Sequence, residues 1–308
     1  MDLPGPLVDD GRGLVSPVGV VVFGMHRSGT SALTRVLVEL GLSPGPLDRL
    51  NGASEANPYG HFEPAPLQQL NERVLNRLDR YWHCPPTNPA VFGAVEHDAV
   101  RFEVEELMGS LFPRKGWVYK DPRLCVMWPL YRPLFLHQPA AVFIARHPAE
   151  VAVSLHTRDT IPIDYALDLW EFHNRIALRE LADFGHVHVV RHDELLADPG
   201  LASEDLAEFC DDAGIPRSPG ERSADQLVDS GLRRSAAAAA DVVLGDDTVA
   251  LWEQIGAMAE LGYSPAVAPP SDRLLATVDG RAARVRAHIE ALRQGWEQPV
   301  ESPHRPAS

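Results

Sequence analysis

Apolar positions along the chain fall into short unbroken runs and longer stretches with helical spacing. Val18, Val20, Val21, Val22 and Phe23 form one such run, and Ala140-Ala141-Val142-Phe143-Ile144-Ala145 forms another; both suit strands buried on two faces of a parallel sheet. Trp117-Val118-Tyr119 reads as a further strand that ends at Lys120-Asp121-Pro122-Arg123. Helical spacing recurs in Leu33, Val36, Leu37 and Leu40, then in Leu67, Leu70, Val74, Leu75 and Leu78. It recurs again over Asp98 to Leu111, Ala166 to Leu181, Leu201 to Asp212, Thr248 to Leu261 and Asp272 to Trp296. The alanine run Ala236 to Ala240 belongs in or beside a helix near Arg233, and Pro265 to Pro270 reads as a linker. Strands followed by helices predict an α/β domain with a central parallel sheet.

The first strand meets the first helix across Gly24-Met25-His26-Arg27-Ser28-Gly29-Thr30-Ser31. Free backbone N–H groups at a helix start, together with the helix dipole, favour an anion at such a turn. Gly24 and Gly29 let the backbone approach closely, Arg27 supplies a charge-assisted fork, and Ser28, Thr30 and Ser31 supply hydroxyls. His26 lies in the same loop with no firm role. The glycine spacing matches a nucleotide triphosphatase loop, but Thr30-Ser31 follows Gly29 without the Lys that such a loop needs. Phosphate or sulfate is therefore the expected guest, and ATP hydrolysis is disfavoured.

The second buried run leads into Arg146-His147-Pro148-Ala149-Glu150-Val151-Ala152-Val153-Ser154, where Pro148 suits a helix first turn. Arg146 and Ser154 are placed to converge on one phosphate. Together the two segments resemble the sulfotransferases that use 3′-phosphoadenosine-5′-phosphosulfate (PAPS), in motif type, order and separation. The resemblance covers roughly Val18 to Leu261 and implies the P-loop-like sulfotransferase fold, a three-layer α/β/α arrangement around a central parallel sheet. It implies that Arg27, Ser28, Gly29, Thr30 and Ser31 hold the 5′-phosphosulfate, with His26 beside them as a contact to that group or to the acceptor. Arg146 and Ser154 would hold the 3′-phosphate, with 3′-phosphoadenosine 5′-phosphate (PAP) as product. Lys120 would face the transferred group or the acceptor; the alternative is that Lys120, Asp121 and Arg123 form a surface ion-pair cluster. Arg233 and Arg234 are either late cations for the 3′-phosphate or a solvated pair. Val187 to Leu196 resembles the family's late strand with the acidic segment after it and reads as architectural.

Sulfuryl transfer needs cations near the leaving phosphate and a base for the acceptor. Arg27 and Lys120 supply the first. The segment Asn57-Pro58-Tyr59-Gly60-His61-Phe62-Glu63-Pro64 lies where related bacterial enzymes carry an aromatic-Glu turn, which makes Glu63 the first choice of base and His61 the second. Unperturbed values of ~4.3 for Glu and ~6.5 for His leave both able to accept a proton at neutral pH. Alternation along an extended segment would aim His61 and Glu63 to one side. The acceptor is a hydroxyl or amine of a small molecule, glycan or lipid; Tyr59, Phe62, Tyr81, Trp82 and Trp128 either build an apolar pocket for it or belong to the core, and the helix that carries Trp170 and His173 packs on the sheet, with those two as alternative wall residues. A P-loop-like kinase and a non-catalytic nucleotide-binding protein are the rival classes.

Composition bounds these readings. With 308 residues, 45% of them hydrophobic, the chain can build one large core, and its formal charge of −15 argues against nucleic acid as a partner. Cys84, Cys125 and Cys210 lack metal or disulfide spacing, so no metal is expected and a cytoplasmic setting is. No stretch reads as a signal peptide or an integral membrane segment. The expected organisation is a flexible tail over 1–16, the catalytic domain over 17–264, a linker and C-terminal helix over 265–298, and a disordered tail over 299–308. Three readings stand for the last helix: packing on the core, self-association into a homo-oligomer, or a partly free end.

Overall fold

The structure is a computed structural model that describes residues 18–52, 60–93, 98–135, 137–218, 220 and 236–297. The tails expected over 1–16 and 299–308, and the candidate residues Tyr59, Arg233 and Arg234, lie outside the described residues.

In chain order the first half contains β1 (Gly19–Phe23), α1 (Thr30–Glu39), α2 (Ala65–Arg77), α3 (Ala90–Gly93), α4 (Asp98–Leu111), β2 (Trp117–Lys120) and α5 (Leu124–Tyr131). The second half contains β3 (Ala140–Ala145), α6 (Pro148–Asp159), α7 (Ile163–Glu180), β4 (Val187–Arg191), α8 (His192–Ala197), α9 (Pro199–Asp212), α10 (Ala236–Ala239), α11 (Asp246–Leu261) and α12 (Asp272–Glu297). The four strands form one parallel sheet in the order β2-β1-β3-β4. Val21 lies beside Tyr119 on one side and Ala141 on the other, so β1 is central.

Strand side chains alternate between two separate apolar cores, as the period of two requires. Val20, Val22, Val142 and Ile144 join Leu33, Val36 and Leu37 of α1, Leu195 of α8 and Leu206 of α9. Val21, Phe23, Ala141 and Phe143 join the larger core, which includes Leu70 of α2, Trp128 of α5, Val151 and Leu155 of α6, and Leu169 of α7. The three-layer α/β/α expectation is thus met. Its topology also fixes where a ligand can sit: β1 and β3 are neighbours, yet α1 leaves β1 toward one face and α6 leaves β3 toward the other. Helices diverging from adjacent parallel strands open a crevice at the strands' carboxyl ends.

Helix α5 was not foreseen. Its sequence, LCVMWPLY, is apolar almost throughout and has Pro129 inside, so it carries neither helical periodicity nor a helix-compatible pattern. Burial explains it: Leu124, Cys125, Met127, Trp128 and Tyr131 are all fully buried. The helix beyond Asp272 packs on the core, with Leu274 and Val278 at 0% exposure. Among the described residues no helix is long and apolar enough to cross a membrane. The three cysteines are buried and unbridged; burial pushes the Cys125 thiol up to about 12 and Cys210 to about 11, which leaves them packing residues rather than thiolates.

Candidate functional site

The loop after β1 has the backbone of an anion cradle. Arg27 adopts φ 70 and Gly29 φ 90, and Gly29 is the residue that caps α1. A Cβ on Gly29 would stand 2.2 Å from the His192 ring, so the first residue of α8 presses on the cradle from behind. A Cβ on Gly24 would stand 2.6 Å from the Ile144 carbonyl oxygen, which shows how closely the ends of β1 and β3 approach. Glycine is the only residue that meets both demands at Gly29, positive φ and absent side chain.

The two sequence segments meet in space. Arg27 Nε donates to Ser154 Oγ at 2.8 Å, linking the loop after β1 to α6 across the crevice. Arg146, just before α6, donates through Nε to Glu150 Oε2 at 2.8 Å, and its carbonyl accepts from Trp170 Nε1 at 2.9 Å. Ser154 is therefore engaged with the other loop and Arg146 with its own helix. Several buried polar atoms in this region have no hydrogen-bond partner: Ser28 Oγ, His26 Nε2 and Arg146 Nη2. Buried donors are rarely left so, and two loops that each carry one suit an anionic ligand.

A second cluster lies at the end of β2. Lys120, 1% exposed, donates from Nζ to Glu63 Oε1 at 2.6 Å and to Ser31 Oγ at 3.2 Å. Ser31 Oγ donates in turn to the His61 carbonyl at 3.3 Å. The candidate base segment, Lys120 and the start of α1 thus form one connected group. Phe62 adopts φ 54, so 61–63 is not extended and the simple alternation expected of His61 and Glu63 does not describe it. The segment is instead held by antiparallel pairing of Leu50 with Pro64 and by Asn51 N donating to the Glu63 carbonyl at 2.8 Å. Burial pulls His61 below the usual histidine range; the Glu63 carboxylate opposes this, and Lys120, Arg158 and Arg27 add to it. Its imidazole is accordingly neutral near pH 7.

Lys120, Asp121 and Arg123 are not a surface cluster: they are 1%, 1% and 6% exposed. Asp121 accepts from the Arg123 backbone N at 2.9 Å, from Arg123 Nη1 at 3.0 Å and from Asn71 Nδ2 at 2.9 Å. Asn71 Oδ1 accepts from Tyr131 Oη at 2.6 Å, and Tyr119 Oη donates to Tyr131 Oη at 3.1 Å. This buried network anchors the turn that projects Lys120. Asn71 was missed by sequence reading, its only signal being an amide on the apolar face of α2.

Trp82 forms a wall beside the loop, its ring 4.3 Å from His26, with the Arg158 guanidinium 5.6 Å from the Trp82 centroid. Burial first, then the Arg123 charge, holds His26 well below the ordinary histidine range, so it stays neutral. Of the other aromatic candidates, Phe62 and Tyr81 are half-buried. Trp128 is a core residue at 0% exposure, packed against Phe23, Tyr131, Phe135 and Phe184, and does not line a pocket. Trp170 and His173 are likewise at 0% and 1% exposure. No group of three or more His, Cys, Asp or Glu placed to hold a metal occurs among the described residues.

No family model matches the chain, and no curated protein matches it. Among solved structures it is similar to the sulfotransferase domain of the Synechococcus PCC 7002 olefin synthase, at 17% identity over 79% of this chain and 96% of that one, with a TM-score of 0.47. A sulfotransferase domain from the curacin biosynthetic pathway gives 17% identity over 87% and 96%, TM-score 0.41. Sulfotransferase STF1 from Mycobacterium tuberculosis H37Rv gives 16% over 77% and 76%, TM-score 0.47. Likeness at this level assigns no activity, which has to be argued from the residues of the crevice.

Proposed function

We propose that this chain is a sulfotransferase that moves the sulfuryl group of PAPS to a hydroxyl or amine of a small-molecule, glycan or lipid acceptor. The observation that carries this reading is the bond between Arg27 Nε and Ser154 Oγ at 2.8 Å, which brings the two family-like segments together at one crevice. Ser28 Oγ and Arg146 Nη2, buried without partners, fit a ligand with two anionic ends.

On this reading the β1 loop, with His26, Arg27, Ser28, Gly29, Thr30 and Ser31, holds the 5′-phosphosulfate, and Arg146 with Ser154 holds the 3′-phosphate. The acceptor oxygen forms a bond to sulfur as the sulfur–oxygen bond to the 5′-phosphate breaks. The acceptor proton passes to Glu63 or His61, and PAP leaves with its new charge facing Arg27 and Lys120. Lys120 Nζ donates to Glu63 Oε1 at 2.6 Å, which supports assigning the cation and the base to one reacting centre.

Calorimetric titration with PAP, with ATP plus magnesium as comparison, tests the donor assignment without knowledge of the acceptor. Tight, magnesium-independent PAP binding with weak ATP binding is expected. Preference for ATP would favour a kinase, and binding of neither ligand would overturn the reading.

A further inference from the structure

Sequence reading gave Glu150 no role, yet its carboxylate forms a buried ion pair with Arg146 of the proposed 3′-phosphate site. Its Oε2 accepts from Arg146 Nε at 2.8 Å, and both side chains are only 7% exposed. The Arg146 carbonyl is fixed separately by Trp170 Nε1 at 2.9 Å, while Nη2 is buried without a partner. A guanidinium is planar, so engaging Nε sets the plane in which its remaining N–H groups point. The arrangement fixes one edge of Arg146 and leaves donor capacity at the other.

We propose that Glu150 is a positioning residue that orients Arg146 toward the 3′-phosphate of the donor nucleotide. This rests on the PAPS reading of the crevice. Glu150 also supplies the countercharge that lets a guanidinium stay buried before any ligand arrives. The cost is a carboxylate close to the phosphate, so orientation is gained at the expense of Coulomb attraction. Two consequences follow with opposite signs. Glu150→Gln retains an acceptor oxygen for Nε but removes the repelling charge, so PAP affinity stays level or rises. Glu150→Ala removes the acceptor, releases the guanidinium and weakens PAP.

The test compares PAP with adenosine 5′-phosphate, which lacks the 3′-phosphate, by calorimetry on wild type, Glu150→Ala, Glu150→Asp and Glu150→Gln. Expected is a tenfold or greater loss of PAP affinity in Glu150→Ala, adenosine 5′-phosphate affinity within twofold of wild type, and rescue in Glu150→Gln. A residue that only supports the fold would weaken both nucleotides together, and that result overturns the proposal. Should Glu150→Ala fail to fold, Glu150→Asp, which keeps the charge but withdraws the acceptor by one methylene, must show the same selective loss. Wild type that binds no PAP would sink the donor reading itself, whereas normal wild-type binding with an unchanged PAP preference in the variants removes Glu150 alone.

Discussion

Glu63 and Lys120 share the 2.6 Å contact that joins the segment before α2 to the end of β2. Glu63 has to be separated experimentally from His61, whose imidazole is held neutral mainly by burial. In Glu63→Gln the amide oxygen still accepts from Lys120, so the local geometry and PAP binding should persist. Turnover should fall by about a hundredfold or more, the usual worth of a positioned base. Measured kcat for sulfuryl transfer decides it: a Glu63→Gln enzyme near wild-type rate transfers the role to His61.

At the level of elements, the cradle depends on the contact between Gly29 and α8. Gly29→Ala puts an L side chain at φ 90 and a Cβ 2.2 Å from His192, a buried ring. The left-handed conformation alone costs about 1–2 kcal/mol. The collision with His192 should add a loss of PAP affinity, because the loop itself must shift. Gly214→Ala is the matched control: φ is also positive, at 66, but nothing lies within 4 Å, so it should lose stability without losing ligand. Urea unfolding and PAP titration of the two variants, read side by side, check this; equal ligand loss in both would discount the contact.

That contact also marks where the sequence stops being readable. Strands β1 and β3 and most helices were legible because burial on two sheet faces leaves continuous apolar runs and one-sided helices leave periodic ones, whereas β4, only partly buried, was expected from the family resemblance alone. The strand-to-helix turns after β1 and β3 were legible because a glycine-bearing segment follows one apolar run and Pro148, suited to a helix first turn, follows the other. Long-range packing left no such trace: nothing near Gly29 announces His192, 163 residues further along the chain. Glu150 was visible at helical ion-pair distance from Arg146, but spacing alone does not separate an oriented buried pair from a solvated one. Trp128, a candidate for the acceptor pocket, sits in the core, and the alternative of a surface cluster for Lys120, Asp121 and Arg123 fails because all three are buried; residue type alone does not tell interior from surface.

For the whole molecule, buried neutral histidines make stability depend on acidity. Burial lowers His173 to about 4, against opposing backbone bonds to Leu169 and Trp82, and lowers His26 in the same direction. The unfolded chain binds protons at these rings from pH ~6.5 downward while the folded chain does not until far lower, so stability is complete above that range and lost as pH falls toward about 4. For His173 alone the loss amounts to about 3 kcal/mol across that window. Urea midpoints should therefore drop between pH 7.5 and 4.5, and less steeply in His173→Asn; parallel pH profiles would remove His173 as the cause.

The opposite departures of α1 and α6 from neighbouring strands have a consequence for how the protein can be altered. The floor between them is set by chain direction, not by any one side chain, and main-chain N–H groups survive every substitution short of one that moves the chain. On the proposed reading, stripping Arg27, Lys120 or Glu63 would remove the chemistry without filling the crevice in. An inactive descendant of this chain could thus keep a place for an anion long after losing the chemistry, and binding and turnover should be scored as separable traits.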